Sequence, residues 1–160
     1  TCALPISLMK KLIDDAIPTI LDILPKWTEE KIIAVQQNHS EATYCKMLSR
    51  DDGKVDWNKT NDHIYNLYRG LTPWPGIWTL WNGKRLKLLS IKKTINQENN
   101  EAMKQFNNNP GGVIIIDNEL IVACNKSFIT VEQLQLEGKK QMTAKEFLNG
   151  YKNFVGSILG

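Results

Sequence analysis

The sequence predicts a mainly β domain with flanking helices, closed as a small antiparallel barrel. Three observations carry this. Short strand-forming runs recur through the second half of the chain: GIWTLW, KRLKLLSIK, GVIII, ELIVAC and SFITVEQLQL. Asn82–Gly83 and Asp117–Asn118, dipeptides suited to left-handed turns, join the first pair of runs and the second pair. Helical periodicity or helix-capping signals bracket the strands on both sides. A parallel sheet would need a crossover helix after each strand. About five short antiparallel strands with two helices instead suit a barrel of OB-like size.

The elements follow in order. Residues 7–24 place Leu8, Met9, Leu12, Ile13, Ala16, Ile17, Ile20, Leu21 and Leu24 on one broad stripe, so they predict a helix with a buried face. Pro18 predicts a kink or restart, because proline removes a backbone hydrogen bond, and Pro25 predicts the end. Residues 25–56 lack sustained periodicity and read as an extended linker, with one short strand near Thr43–Met47 and a turn at Asp52–Gly53. Thr60 is an N-cap for a helix carrying Ile64, Leu67 and Tyr68 on one face, ended by Gly70. After the first hairpin, the polar stretch 96–109 predicts a long loop or a short exposed helix. Three strands follow, then a loop, EGKKQM. Thr143 and Glu146 then form a capping box that opens a terminal helix through Phe147 and Leu148.

The 160 residues suffice for one domain that needs no covalent staples. Cys2, Cys45 and Cys124 are odd in number and widely spaced, which excludes a complete disulfide framework and a CxxC zinc site. No apolar run is long enough to span a membrane as a helix, and there is no P-loop, GxGxxG or HExxH motif. The formal charge of +3 conceals a gradient: residues 61–160 carry 12 basic and 8 acidic side chains, whereas residues 1–60 carry 8 basic and 9 acidic. Lys84, Arg85, Lys87, Lys92 and Lys93 form the densest basic block, compatible either with a nucleic-acid backbone partner or with a solvated strand face.

Four segments in register go further: ATYCKMLSRDDGKVDW (42–57), IYNLYRGLTPWPG (64–76), NGKRLKL (82–88) and LQLEGKKQMTAKEFLNG (134–150). Together they resemble the C-terminal domain of the methionyl-tRNA formyltransferases. The helix at 7–24 is similar to the last helix of that family's catalytic domain. The resemblance implies a terminal helix left from a Rossmann-like α/β domain (1–26), a linker (27–56) and an OB-like tRNA-binding domain (57–160). It implies an enzyme that transfers a formyl group from 10-formyltetrahydrofolate to the amino group of methionyl-initiator-tRNA in translation initiation. This chain would then be the rear part, partnered by an N-terminal catalytic domain, with no cofactor of its own, no metal and no membrane partner. Its setting would be the bacterial cytoplasm or an organelle. The missing initial Met agrees with this expectation.

The family's catalytic loop reads roughly Asn-x-His-x-Ser-x-Leu-Pro. Residues 61–70, NDHIYNLYRG, mimic it at Asn61, His63 and Leu67, but Tyr65 and Tyr68 stand where Ser and Pro belong, and the spacing of the apolar residues is helical. His63 is therefore expected on a capped helix at the surface, His39 in the linker, and no catalytic residue in this chain.

The candidate tRNA contacts are Lys46, Arg50, Arg69, Trp81, Lys84, Arg85, Lys87, Lys139 and Lys140. Lys46 and Arg50 fall in the linker, where the resemblance implies basic residues near the tRNA; the charge is displaced to Lys46 because Met47 occupies the usual position. Lys139 and Lys140 match the family's Gly-Lys-Lys segment. Arg69 ends its helix, with pairing to Asp56 or a carbonyl as the alternative. Arg85 is the fork donor of the hairpin, and Lys87 shares its face if the strand is regular. Trp81 lies on the face opposite Leu80 and is the exposed stacking candidate. Trp74, Trp78 and Tyr68 are expected in the core, and Trp57 is expected to anchor the linker. Two other readings stand beside this one: the C-terminal domain of a related folate-dependent formyltransferase or hydrolase, and a stand-alone OB-like RNA-binding module.

Overall fold

The computed structural model describes residues 5–94 and 109–160, so Cys2 and the polar stretch 96–108 lie outside the described residues. The chain divides into two compact units, Thr1–Leu48 and Ser49–Gly160.

In the first unit, α1 (Pro5–Thr28) runs through both Pro18 and Pro25. Pro25 therefore does not end the helix. The turn after it keeps its own bonds, Glu29 N–H to the Pro25 carbonyl at 3.0 Å and Lys31 N–H to the Lys26 carbonyl at 2.9 Å. Lys26 pairs with Asp22 one turn earlier at 2.6 Å. The stripe of Leu12, Ile13, Ile17, Ile20 and Leu24 is exposed. Downstream the backbone is irregular, apart from a single 3-10 turn at His39–Glu41 capped by the Asn38 side chain. The short strand expected at Thr43–Met47 does not form. Residues 43–47 have irregular backbone, and Tyr44 and Met47 are exposed.

The second unit is an antiparallel sheet with two helices. Its strands are β1 (Ile77–Trp81), β2 (Lys84–Lys93), β3 (Val113–Ile116), β4 (Glu119–Cys124), β5 (Ser127–Leu136) and the two-residue β6 (Met142–Thr143). The order is β1-β2-β5-β4-β3, with β6 beside β5. Asn82–Gly83 and Asp117–Asn118 turn the two hairpins with positive φ at all four residues, as type I′ geometry requires. β6 was not foreseen; it turns the end of the EGKKQM loop into a brief partner for β5. α2 (Asn61–Leu71) begins at Thr60, whose hydroxyl accepts the His63 N–H at 3.3 Å, and extends one residue past Gly70. α3 (Ala144–Gly150) opens with the expected capping box at Thr143 and Glu146.

The sheet edges are partly covered by irregular chain. Val55 donates to the Trp78 carbonyl on β1 at 2.8 Å, and Gly160 donates to Leu80 at 3.1 Å. At the far edge, Val113 of β3 donates to Ser157 at 3.0 Å, Gly156 donates back to Val113 at 2.8 Å, and Leu159 donates to Gly111 at 2.9 Å. The tail fits because Gly111, at φ +87, has no side chain; a Cβ there would lie 2.3 Å from the Leu159 carbonyl oxygen.

The core lies between one sheet face and the helices. Leu86, Leu88, Ile129, Val131 and Leu134 meet Ile64 of α2 and Phe147 of α3. Trp57 is buried with them and donates from Nε1 to the Thr79 hydroxyl at 3.1 Å, so it anchors the preceding segment as expected. Trp81 corrects the sequence reading. It is 5 % exposed and packs against Phe154, Tyr151 and Phe147 at centroid distances of 5.0, 5.6 and 5.8 Å. It does alternate with Leu80, but Leu80 is the residue that faces outward. Trp74 is corrected in the opposite sense, being 58 % exposed. Its loop closes on its own backbone, Gly76 N–H to the Leu71 carbonyl at 2.8 Å, which leaves the apex in solvent.

Two measurements follow from the interior and its rim. Cys124 is fully buried with its Sγ 3.1 Å from the Ser127 hydroxyl, and burial pushes its thiol up to about 11, whereas Cys45 is exposed. A thiol reagent at neutral pH is expected to modify Cys45 promptly and Cys124 only on unfolding; mass mapping of labelled peptides checks this. Three carboxyls sit below their usual range: Glu132 through hydrogen bonds from Lys92 and Ser90, Asp56 through the Asn58 N–H and carboxamide, and Glu146 through the Thr143 N–H and hydroxyl. Such depressed groups stabilise the fold above their unfolded pKa, and that stability is lost as pH falls through the folded value. The urea midpoint is expected to drop below about pH 4, and Glu132→Gln to flatten that fall.

Candidate nucleic-acid interface

The outer face of β1, β2 and β5 is set by strand alternation. Trp78 pairs with Lys87, which pairs in turn with Gln135, so one row of side chains crosses three strands. The next row runs from Leu80 to Arg85. Arg85 donates its backbone N–H to the Glu137 carboxylate at 3.1 Å, and Glu137 returns its N–H to the Arg85 carbonyl at 2.8 Å. Arg85 and Lys87 thus share a face, as the regular strand predicts.

Trp78 is the platform of this surface. The Arg85 guanidinium lies 4.2 Å from the centroid of its ring, close enough for a cation–π contact. Its Nε1 donates to the Arg50 carbonyl at 2.8 Å, which fixes the ring and ties the Arg50 turn to the sheet. Gln135 donates from Nε2 to the Lys139 carbonyl at 2.9 Å and so holds the Gly-Lys-Lys turn beside the same rows. Between them lies a groove of about 250 Å³ lined by Arg85, Lys87, Gln135, Leu136, Glu137 and Gly138. Glu137, the carboxylate of that lining, accepts the Arg85 N–H.

The structure therefore places the Arg85 guanidinium over Trp78 with Lys87 in the adjoining row, and brings the Arg50 backbone to Trp78 and the Lys139 backbone to Gln135, with Lys140 next in the turn. Within the second unit it sets Lys84 and Arg69 apart. Lys84 opposes Trp81 at the hairpin tip and alternates away from Arg85. Lys46 belongs to the first unit. Arg69 stands on α2, donating from Nη2 to the Asn66 side chain at 2.6 Å with its guanidinium 5.9 Å from the Tyr65 ring; it does not pair with Asp56, whose carboxylate accepts from Asn58. Lys92 pairs with Glu132, and Lys93 with Asp62 at 2.8 Å. Sequence reasoning missed Gln135; Trp78 is buried as expected, at 8 % exposure, and what the sequence did not show is that Arg85 covers its ring. The signal for both was parity: each lies on the same alternation as Lys87.

A profile described as the formyl transferase C-terminal domain matches residues 47–152, which spans all of these surface rows. The chain belongs to the formyl transferase family. Among its relatives, a protein named methionyl-tRNA formyltransferase from Geotalea uraniireducens is 40% identical over 147 residues, covering 91% of this chain and 43% of that protein. Another of the same name from Caldanaerobacter subterraneus subsp. tengcongensis is 34% identical over 154 residues, covering 96% of this chain and 47% of that one. This formyl transferase chain thus spans under half the length of the curated relatives it matches. Crystal structures of HypX from Aquifex aeolicus share its fold. One superposes with a TM-score of 0.67 at 12% identity, covering 98% of this chain and 28% of that one.

The catalytic-loop mimic at 61–70 is helix α2, with exposed His63 in its first turn. Among the described residues, no three His, Cys, Asp or Glu side chains gather as a metal ion would need, and no helix is long and apolar enough to cross a membrane.

Proposed function

We propose that this chain is the tRNA-holding part of an enzyme that formylates the amino group of methionyl-initiator-tRNA. The observation that supports it best is the Arg85–Trp78 stack flanked by Lys87, Gln135 and Arg50, on the domain that the formyl transferase profile matches. A guanidinium stacked on an indole is held in orientation before RNA arrives, so less freedom is lost on meeting a phosphate. Lys87 adds a point charge, and the Gln135 carboxamide can accept from a ribose 2′-hydroxyl or donate to a phosphate oxygen. Such contacts read the backbone and not the bases, so they position the tRNA. The formyl donor, 10-formyltetrahydrofolate, and the groups that activate it belong to a catalytic domain upstream. The role of this chain is to bind and orient the substrate in the bacterial cytoplasm or an organelle.

Titration of the 160-residue chain with initiator tRNA at two salt concentrations tests the reading. Binding at low salt that weakens steeply as salt rises is expected. Absence of binding at low salt overturns it.

A further inference from the structure

On the opposite side of the second unit, β3 forms the far edge of the sheet. Hairpin geometry points the backbone groups of Val113 and Ile115 outward, away from β4. Val113 is covered, because its N–H and C=O both bond the tail at Ser157 and Gly156. At Gly156, φ is +82 and the chain turns away. No described backbone group bonds the outward N–H or C=O of Ile115, and the residue is 43 % exposed. Beside it lies a groove of about 420 Å³ formed by Ile115, Leu148, Val155, Lys145, Lys152 and the two asparagines Asn118 and Asn149. Its floor is apolar, its rim carries two lysines, and no carboxylate lines it. Among the described residues neither lysine has an ion-pair partner.

We propose that this groove, between the open end of β3 and helix α3, takes an extended acidic polypeptide segment by strand addition. The segment continues the line that the tail abandons at Gly156. Its backbone bonds the Ile115 N–H and C=O, one apolar side chain lies on Leu148 and Val155, and its carboxylates meet Lys145 and Lys152. Edge strands recruit peptides in this manner wherever backbone groups are left open beside a side-chain pocket. Charge selects a polypeptide of acidic character over a neutral one. This surface is separate from the Arg85 face, so its failure would leave the proposed tRNA role intact.

The test uses the 160-residue chain and a fluorescein-labelled peptide of alternating Glu and Val. Expected results are binding by anisotropy, a shift and slowed exchange of the Ile115 amide in NMR, and at least about a tenfold loss with Lys145→Glu plus Lys152→Glu. Lys145 lies in the first turn of α3, where an acid is tolerated by the helix, so this variant keeps its fold. A peptide N-methylated at its bonding positions should also lose about tenfold, because it cannot form the ladder. Equal binding of the N-methylated peptide, an unperturbed Ile115 amide, or displacement by an RNA oligonucleotide of equal charge would each overturn the proposal.

Discussion

Trp81→Ala is expected to destabilise the second unit by about 3–5 kcal/mol, the usual cost of deleting a buried aromatic. The side chain fills the space between β1, α3 and the segment that follows, with three aromatic rings at 5.0–5.8 Å around it. Edge-to-face pairs add to the simple burial. For a unit of this size each kcal/mol lowers the midpoint by roughly 4–8 °C, so the loss should be plain in a thermal melt. Trp81 Nε1 is buried without a hydrogen-bond partner, so Trp81→Phe removes an unsatisfied donor along with volume and should cost much less than Ala. The measurement separates two roles. A stacking residue would leave the melt unchanged and weaken RNA binding; a core residue does the reverse at temperatures where the protein is folded.

Arg85→Ala with Lys87→Ala carries the second large effect, on affinity instead of stability. Both side chains lie on the outer face, so the fold should tolerate their loss. Initiator-tRNA binding at low salt is expected to weaken roughly ten- to thirtyfold, about 1.4–2 kcal/mol. The slope of log affinity against log salt should fall by about one for each phosphate contact removed, roughly two in all. Arg85→Lys is informative because it keeps the charge and loses the planar stack on Trp78; it should fall between the wild type and the double variant. Lys84→Ala, on the other alternation, should change little. An unchanged salt slope in the double variant would remove this face from consideration as the RNA contact.

The strands, both hairpin turns, the Thr60 cap and the Thr143–Glu146 capping box were legible in the sequence, because each is a local signal with a local cause. Errors came where the answer depended on partners distant in the chain. Alternation separates Trp81 from Leu80, but the inner face is decided by what packs on it, and that is Phe147, Tyr151 and Phe154, more than sixty residues away. Trp74 lies between prolines whose loop closes on itself, which composition alone does not reveal. The basic block read as one patch from Lys84 to Lys93 is split by pairing: Lys92 and Lys93 meet Glu132 and Asp62 of other elements, while Arg85 and Lys87 remain on the groove. α1 passes through Pro25 because the bonds around the proline survive its missing donor.

The segment 156–160 touches both ends of the sheet, β3 through Gly156, Ser157 and Leu159 and β1 through Gly160. An uncovered strand edge invites pairing with other chains. One short segment therefore helps guard two edges against aggregation; damage to it would uncover β3 at Val113 and thin the cover on β1, where Val55 still bonds Trp78. The hazard would first be seen as self-association of molecules whose β-sheet is otherwise intact, before any loss of the aromatic core.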